Sequence, residues 1–134
     1  MLDDLGLIPA IEWQTRHFQE QTKIVCRLNS QLEHVDLSRE QSITIFRIFQ
    51  EAMTNVLRHA QATNVNILIR KDDGEFVLEV SDIGRGITES EKLGTSSLGL
   101  LGMRERAHSI GARVEIEGVA GQGTTLSVRL PLSS

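Results

Sequence analysis

The sequence predicts an α+β fold, a two-layer α/β sandwich with helices on one face of a mixed, mostly antiparallel sheet, and three observations support it. An amphipathic helix follows Ser38 and runs to about His59 or Ala60, with Ser38 as its N-cap. Two β-prone runs, Asn64 to Arg70 and Glu75 to Ser81, flank Asp72-Asp73-Gly74, whose turn chemistry predicts an antiparallel hairpin. A shorter helix, about Gly99 to Ile110, precedes strands at Arg113 to Glu117 and Thr124 to Leu130 joined by Val-Ala-Gly-Gln-Gly. Ahead of these lie a short helix from Pro9 to about Gln21, with Ile11, Trp13 and Phe18 as its apolar residues, and a β-prone run from Lys23 to Leu28. Between Ile83 and Leu98 the chain carries Gly, Ser, Thr and charge without apolar periodicity, longer than an ordinary connection.

Residues 1–134 read as a single domain, since no repeat, low-complexity tract or linker divides them and 40% hydrophobic with 24% charged side chains fit a compact fold. A net charge of -4 argues against a sequence-independent grip on a nucleic-acid backbone. Cys26, the one cysteine, excludes an internal disulfide, suits a reducing compartment and reads as packing. No stretch approaches the roughly 20 apolar residues of a membrane helix, and Met-Leu-Asp-Asp is unlike a signal peptide, so a cytoplasmic domain without direct membrane contact is expected.

Four constellations invite a chemical reading. On the long helix Ile45, Phe49, Ala52, Met53, Val56 and Ala60 form an apolar stripe, and Glu51, Asn55 and His59 recur every fourth position along its border. Spacing alone leaves open whether this polar rail projects into a cleft or is a solvated helix face. Asp82-Ile-Gly-Arg-Gly86 sets an acid at a strand end before two glycines, which fits close ligand approach or an ordinary turn. It is not a dinucleotide fingerprint, and the chain has neither a Walker A motif nor a eukaryotic-type kinase catalytic loop. Ser97-Leu-Gly-Leu-Leu-Gly-Met103 leads into a helix whose free N–H groups suit phosphate, with Arg104 and Arg106 either reinforcing it or standing as surface charges. Gly121-Gln-Gly-Thr-Thr125 taken alone is a hairpin turn.

In this order the four closely resemble the N, G1, G2 and GT boxes of the histidine kinase ATP-binding domain, in the GHKL superfamily with its Bergerat-type fold. The resemblance spans nearly the whole chain. Phe46-Arg-Ile-Phe-Gln-Glu-Ala-Met-Thr-Asn-Val-Leu-Arg-His-Ala60 and Gly102-Met-Arg-Glu-Arg-Ala107 look like the nitrate-sensor subfamily, and Leu2-Asp-Asp-Leu-Gly-Leu7 resembles the connector after its dimerisation helices.

The resemblance implies the following roles. Asn55 ligates Mg²⁺ through its carboxamide oxygen while the ion bridges the ATP phosphates. Glu51 polarises the incoming nucleophile or a metal-bound water. Arg58 and His59 approach the phosphates, with His59 alternatively bonded within the fold. Asp82 accepts a hydrogen bond from the adenine exocyclic amine. Gly84 and Gly86 make room for the base; Gly99, Leu100, Gly102 and Met103 form the lid exit and helix entry around the nucleotide; Thr124 or Thr125 supports the base-side network. Residues 87–98 become the ATP lid. Two positions depart from the family pattern, Ile83 where a polar residue is usual and Ser97 where a glycine is common, which bears on nucleotide affinity and lid stiffness.

The implied activity is transfer of the ATP γ-phosphoryl group to a histidine on a dimerisation and phosphoacceptor domain outside this chain, from which a response regulator takes it. The domain alone is then expected to be monomeric and unable to phosphorylate itself, within a homodimeric and possibly membrane-anchored parent kinase. A catalytically weak nucleotide-binding regulator and another ATPase or serine kinase of the superfamily are the competing readings.

Overall fold

The computed structural model describes residues 6–60, 63–83, 99–119 and 123–132, without the side chains of 59, 60 and 119. Its elements, in chain order, are α1 (Leu7–Thr22), β1 (Val25–Ser30), α2 (Arg39–Asn55), a π-turn (Val56–Ala60), β2 (Asn64–Asp72), β3 (Glu75–Ile83), α3 (Leu100–Ser109), β4 (Arg113–Val119) and β5 (Gly123–Pro131). The five strands form one sheet in the order β1-β2-β3-β5-β4. Only β1 and β2 pair in parallel; the other neighbours are antiparallel. The predicted α+β sandwich with a mixed, mostly antiparallel sheet is therefore the fold observed.

Local chemistry explains each boundary. Helix α1 starts two residues earlier than the sequence predicts, after Gly6 at φ 88°, and places Pro9 in its first turn, where the missing N–H costs nothing. Leu7, Ile8, Ile11, Thr15 and Phe18 face the core, whereas Trp13 turns outward and stacks on His17 with ring centroids 5.1 Å apart. Of the three apolar residues assigned to this helix, Trp13 is the one that does not enter the core. Ser38 caps α2 in a reciprocal capping box: the Gln41 N–H donates to Ser38 Oγ at 3.1 Å, and the Ser38 N–H donates to Gln41 Oε1 at 2.9 Å.

The long helix departs from expectation at its far end. It stops being α-helical at Asn55: the N–H of Val56 is shared between the carbonyls of Ala52 and Met53, and a π-turn then carries the backbone through residues 56–60. Glu51 and Asn55 thus lie one α-turn apart, but residue 59 does not continue their line.

The hairpin between β2 and β3 has a two-residue loop, Asp73 at φ 50° and Gly74 at φ 76°, the left-handed pair of a type I′ turn. Alternation along the sheet separates its faces. Val65, Ile67, Ile69, Phe76, Leu78, Val80, Val114, Ile116, Leu126, Val128 and Leu130 join the helices in one core, with Ile45, Ile48, Phe49, Met53, Leu100 and Met103 from α2 and α3. Ile48 belongs to the buried stripe of α2 although the predicted stripe omitted it. The opposite face carries ion pairs, among them Arg70 to Glu79 at 2.8 Å, Arg129 to Asp72 at 3.3 Å and Arg113 to Glu75 at 3.0 Å. These pairs are partly buried on the solvent side of the sheet, where water still screens the charges.

Cys26 is half-buried at the margin of the core, and burial pushes its thiol pKa up, in keeping with a packing role. The backbone N–H of Cys26 points away from β2 and is taken by Gln19 Oε1 of α1 at 2.7 Å. No helix among the described residues is long and apolar enough to cross a membrane.

The capping box gives a direct stability prediction. Ser38→Ala should destabilise the domain by about 1 kcal/mol, the usual effect of losing such a cap. Urea unfolding should show a lower midpoint with an unchanged slope, and an unmoved midpoint would mean that α2 is held by packing alone.

Candidate functional site

The sheet's inner face ends in an unusual pair. Asp82 is the penultimate residue of β3, not the first residue beyond it, and strand alternation turns its side chain inward with Val80 and Leu78, leaving it 8% exposed. Its partner across the ladder is Thr124 of β5. The Thr124 backbone N–H donates to the Asp82 carboxylate, yet Asp82 Oδ1 and Thr124 Oγ1 are both buried with no hydrogen-bond partner among the described residues. Burial pushes the Asp82 pKa up, partly offset by that N–H. Buried polar atoms left unpaired are costly and uncommon, so these two on neighbouring strands stand out among the described residues as groups that call for a further partner.

Gly123 holds this pair in place, and sequence reasoning quoted it only as part of a turn. Its φ is 138°, and a Cβ there would lie 2.3 Å from the backbone oxygen of Asp82. No side chain fits between the strands at this point. The detectable signal was the second glycine of Gly121-Gln-Gly directly before two threonines.

The same alternation separates the two threonines that the sequence left undivided. Thr124 shares the inner face with Asp82, whereas the Thr125 hydroxyl lies 3.1 Å from that of Ser81 on the opposite face. Of the two threonines offered for the base-side network, Thr124 is the one that faces Asp82, while Thr125 pairs with Ser81. Ile83, the departure noted after Asp82, is 57% exposed and takes no part in the core.

A second cluster forms where α2 meets α3. Glu51 and Asn55 are both half-buried at the border of the apolar stripe. Gly99 is the N-cap of α3 at φ 67°, and a Cβ on it would lie 2.6 Å from Glu51 Oε1. The carboxylate of α2 therefore rests against the start of α3, whose first helical bond runs from the Met103 N–H to the Gly99 carbonyl at 3.0 Å. The preceding N–H groups of that turn, from Leu100 to Gly102, lack helical partners, which gives this end partial positive charge. Leu100 and Met103 are fully buried in the core, so their side chains anchor α3. A side chain at Gly102 would meet open space, so packing does not require glycine there.

The structure thus brings Glu51 together with Gly99, and Asp82 with Thr124, and packs the π-turn that follows α2 against β3. Arg58 sits exposed on that turn, and Arg104 and Arg106 are exposed on α3. The His59 side chain, Gly84, Gly86, the lid 87–98 with Ser97, and the proposed connector up to residue 5 lie outside the described residues. Among the described residues no three His, Cys, Asp or Glu side chains converge as a metal cage.

An α+β sandwich with an acid buried at the end of its central strand and a second cluster between two helices is the frame of a nucleotide-binding ATPase domain. Residues 40–134 match the family described as histidine kinase-, DNA gyrase B-, and HSP90-like ATPase, and the chain belongs to that family. Within it, the relatives and solved structures to which the chain is similar include histidine kinases. The chain is 32% identical over 133 residues to the signal transduction histidine-protein kinase/phosphatase DegS of Brevibacillus brevis, covering 99% of this chain and 34% of the relative. The DegS of Bacillus subtilis strain 168 is 30% identical over 137 residues, covering 98% and 36%. The chain thus spans about a third of the length of these curated relatives. The Erythrobacter litoralis EL346 blue-light activated histidine kinase superposes with a TM-score of 0.79 at 25% identity, over 95% of this chain and 42% of that one. The Acinetobacter baumannii histidine kinase AdeS shares the fold, with a TM-score of 0.76 at 15% identity over 96% and 64% of the two chains.

The burial of Asp82 has a pH signature. A carboxyl with a folded-state pKa above its unfolded value contributes stability that is fully present below the unfolded pKa and lost as pH rises through the folded pKa. Stability of the free domain should fall across the interval from the ordinary carboxylate range up to the raised Asp82 pKa, and Asp82→Asn should remove that part of the slope. Urea unfolding at a series of pH values tests this; identical profiles for the two proteins would show that Asp82 is not desolvated.

Proposed function

We propose that this domain binds Mg²⁺-ATP with its base against Asp82 and Thr124 and presents the γ-phosphoryl group to a histidine on the dimerisation and phosphoacceptor domain of a two-component sensor kinase. The buried Asp82 Oδ1 and Thr124 Oγ1, without a partner among the described residues, are the observation that carries this reading. A carboxylate oxygen demands a donor, and a hydroxyl beside it can give or accept one bond. Adenine meets this demand with an exocyclic amine next to a ring nitrogen, whereas guanine presents a carbonyl oxygen where the amine is needed. The raised pKa of Asp82 fits the same assignment, because a donated hydrogen bond would favour the charged form that burial penalises.

The α2 and α3 cluster fits the polyphosphate end. The N-terminus of α3 offers unbonded N–H groups near the Glu51 and Asn55 rail, and Arg58 and His59 follow on the π-turn. Asn55 supplies one hard oxygen, and the described side chains form no cage around it, as suits an ion held by one or two protein groups plus phosphates. When bound, Mg²⁺ would neutralise charge on the β and γ oxygens. Glu51 would take the proton from the attacking imidazole as the N–P bond forms and the bridging P–O bond breaks, leaving ADP. The phosphoryl group would then pass to a response regulator.

The runs Phe46 to Ala60 and Gly102 to Ala107 further support a place in the nitrate-sensor-like subfamily. The need for ATP and the single cysteine support a cytoplasmic position, and the net charge of -4 speaks against a nucleic-acid backbone as partner.

In calorimetry the domain should bind ATP and ADP with Mg²⁺ dependence and discriminate against GTP. Asp82→Asn should weaken ATP binding by about 1–3 kcal/mol, the scale of an unsatisfied buried partner. Equal affinity for GTP would overturn the adenine assignment.

Asn55→Ala should abolish Mg²⁺-assisted phosphoryl transfer in the kinase while the circular dichroism of the domain stays native, because Asn55 lies at the rim of the apolar stripe. Loss of folding would instead make Asn55 structural.

A further inference from the structure

Gly99 is the point where the two halves of the proposed phosphate-side machinery touch. A Cβ on it would fall 2.6 Å from Glu51 Oε1, 3.2 Å from Cδ and 3.4 Å from Cγ. Three successive atoms of one side chain thus lie along the bare α-carbon. The residue is also the N-cap of α3 at φ 67°, ψ 17°, with no side-chain cap of its own. An N-cap usually places its own oxygen over the first turn and adopts extended backbone. Here the left-handed glycine leaves that space clear, and a carboxylate from α2 lies beside the positive helix end instead.

We propose that Gly99 is a positioning residue for Glu51: the missing side chain at the start of α3 is the slot that holds the Glu51 carboxylate in its working orientation. The base is thereby indexed to the same helix end that faces the phosphates, so a shift of α3 and a shift of the base are one event. The atoms that collide with a side chain at 99 are the far end of a flexible glutamate. The core does not absorb the collision; Glu51 swings away and the lesion falls on proton transfer. A glycine serving only to wrap phosphates would show its loss in nucleotide affinity. The inference rests on the reading of Glu51 as the group that activates the incoming histidine.

The test combines two measurements. In the isolated domain, Gly99→Ala should move the Glu51 side-chain carboxyl ¹³C resonance. In the kinase with its acceptor domain, it should lower kcat on the order of tenfold or more, as expected for a misplaced general base, with KM for ATP held within about threefold. Gly99→Asn separates sterics from backbone strain, because asparagine tolerates the left-handed region yet still carries a Cβ; its kcat should fall like that of Gly99→Ala. Adding Gly99→Ala to Glu51→Gln should cost little further turnover. Four results overturn the positioning role: an unmoved Glu51 resonance, a change confined to KM, recovery of wild-type kcat in Gly99→Asn, or full additivity in the double variant. A kcat unchanged by Glu51→Gln overturns the base reading and the positioning role with it, and is recognised by a resonance that still responds to Gly99→Ala.

Discussion

The pairing of β3 with β5 that sets Asp82 opposite Thr124 is the constraint on which the site depends. A one-residue slip in this ladder would turn Asp82 to the solvent face and bring Ser81 inward, since successive side chains alternate. Gly123 opposes such a slip by sheer proximity, with its α-carbon packed on the Asp82 backbone oxygen. The inner-face residues Phe76, Leu78 and Val80 of β3 oppose it too, because all three would leave the core with Asp82. The register is thus secured by apolar burial along the strand so that its last positions can carry a desolvated acid.

Helix α2 links this pair to the cluster of Glu51 and Gly99. Its buried stripe seats it on the sheet, its border holds Glu51 against α3, and its continuation as a π-turn passes beside β3. Inserting a π-turn in a helix reorients everything beyond it, and such turns recur at functional sites. Glu51 and Asn55 precede the break and are fixed by the packed α-helix, whereas Arg58 follows it on a differently wound segment. The rigid part of the helix carries the groups that need fixed geometry.

How much of this was legible in the sequence depended on the range of the interactions involved. Ser38 with Gln41, and Asp73 with Gly74, act over a few residues, so both the helix start and the hairpin could be read directly. Alternating strands gave the sheet, and the order of four short motifs gave the family. The π-turn was not legible: Val56 to Ala60 is compatible with an α-helix by propensity, and only packing against β3 distinguishes the two windings. Thr124 could not be separated from Thr125 because their faces are fixed by pairing with a strand more than forty residues away. Trp13 and Ile48 show the limit of counting apolar residues, since the true face of each helix is set by what lies beneath it. The Glu51 to Gly99 contact is a long-range meeting of two motifs, and no spacing rule reports it.

The hydrogen bond from the Cys26 backbone to Gln19 bears on how this domain behaves in company. An outermost strand normally displays a row of unpaired backbone groups that another chain can use as a template. At β1 one such group is already taken by a side chain of α1, so a would-be added strand must first displace Gln19. At the other margin β4 turns Arg113, Glu115 and Glu117 to the face away from the core, and charged side chains of this kind blunt an edge strand. Both margins of the sheet, as far as its described residues go, are in this way made less receptive to an added strand than bare edges would be.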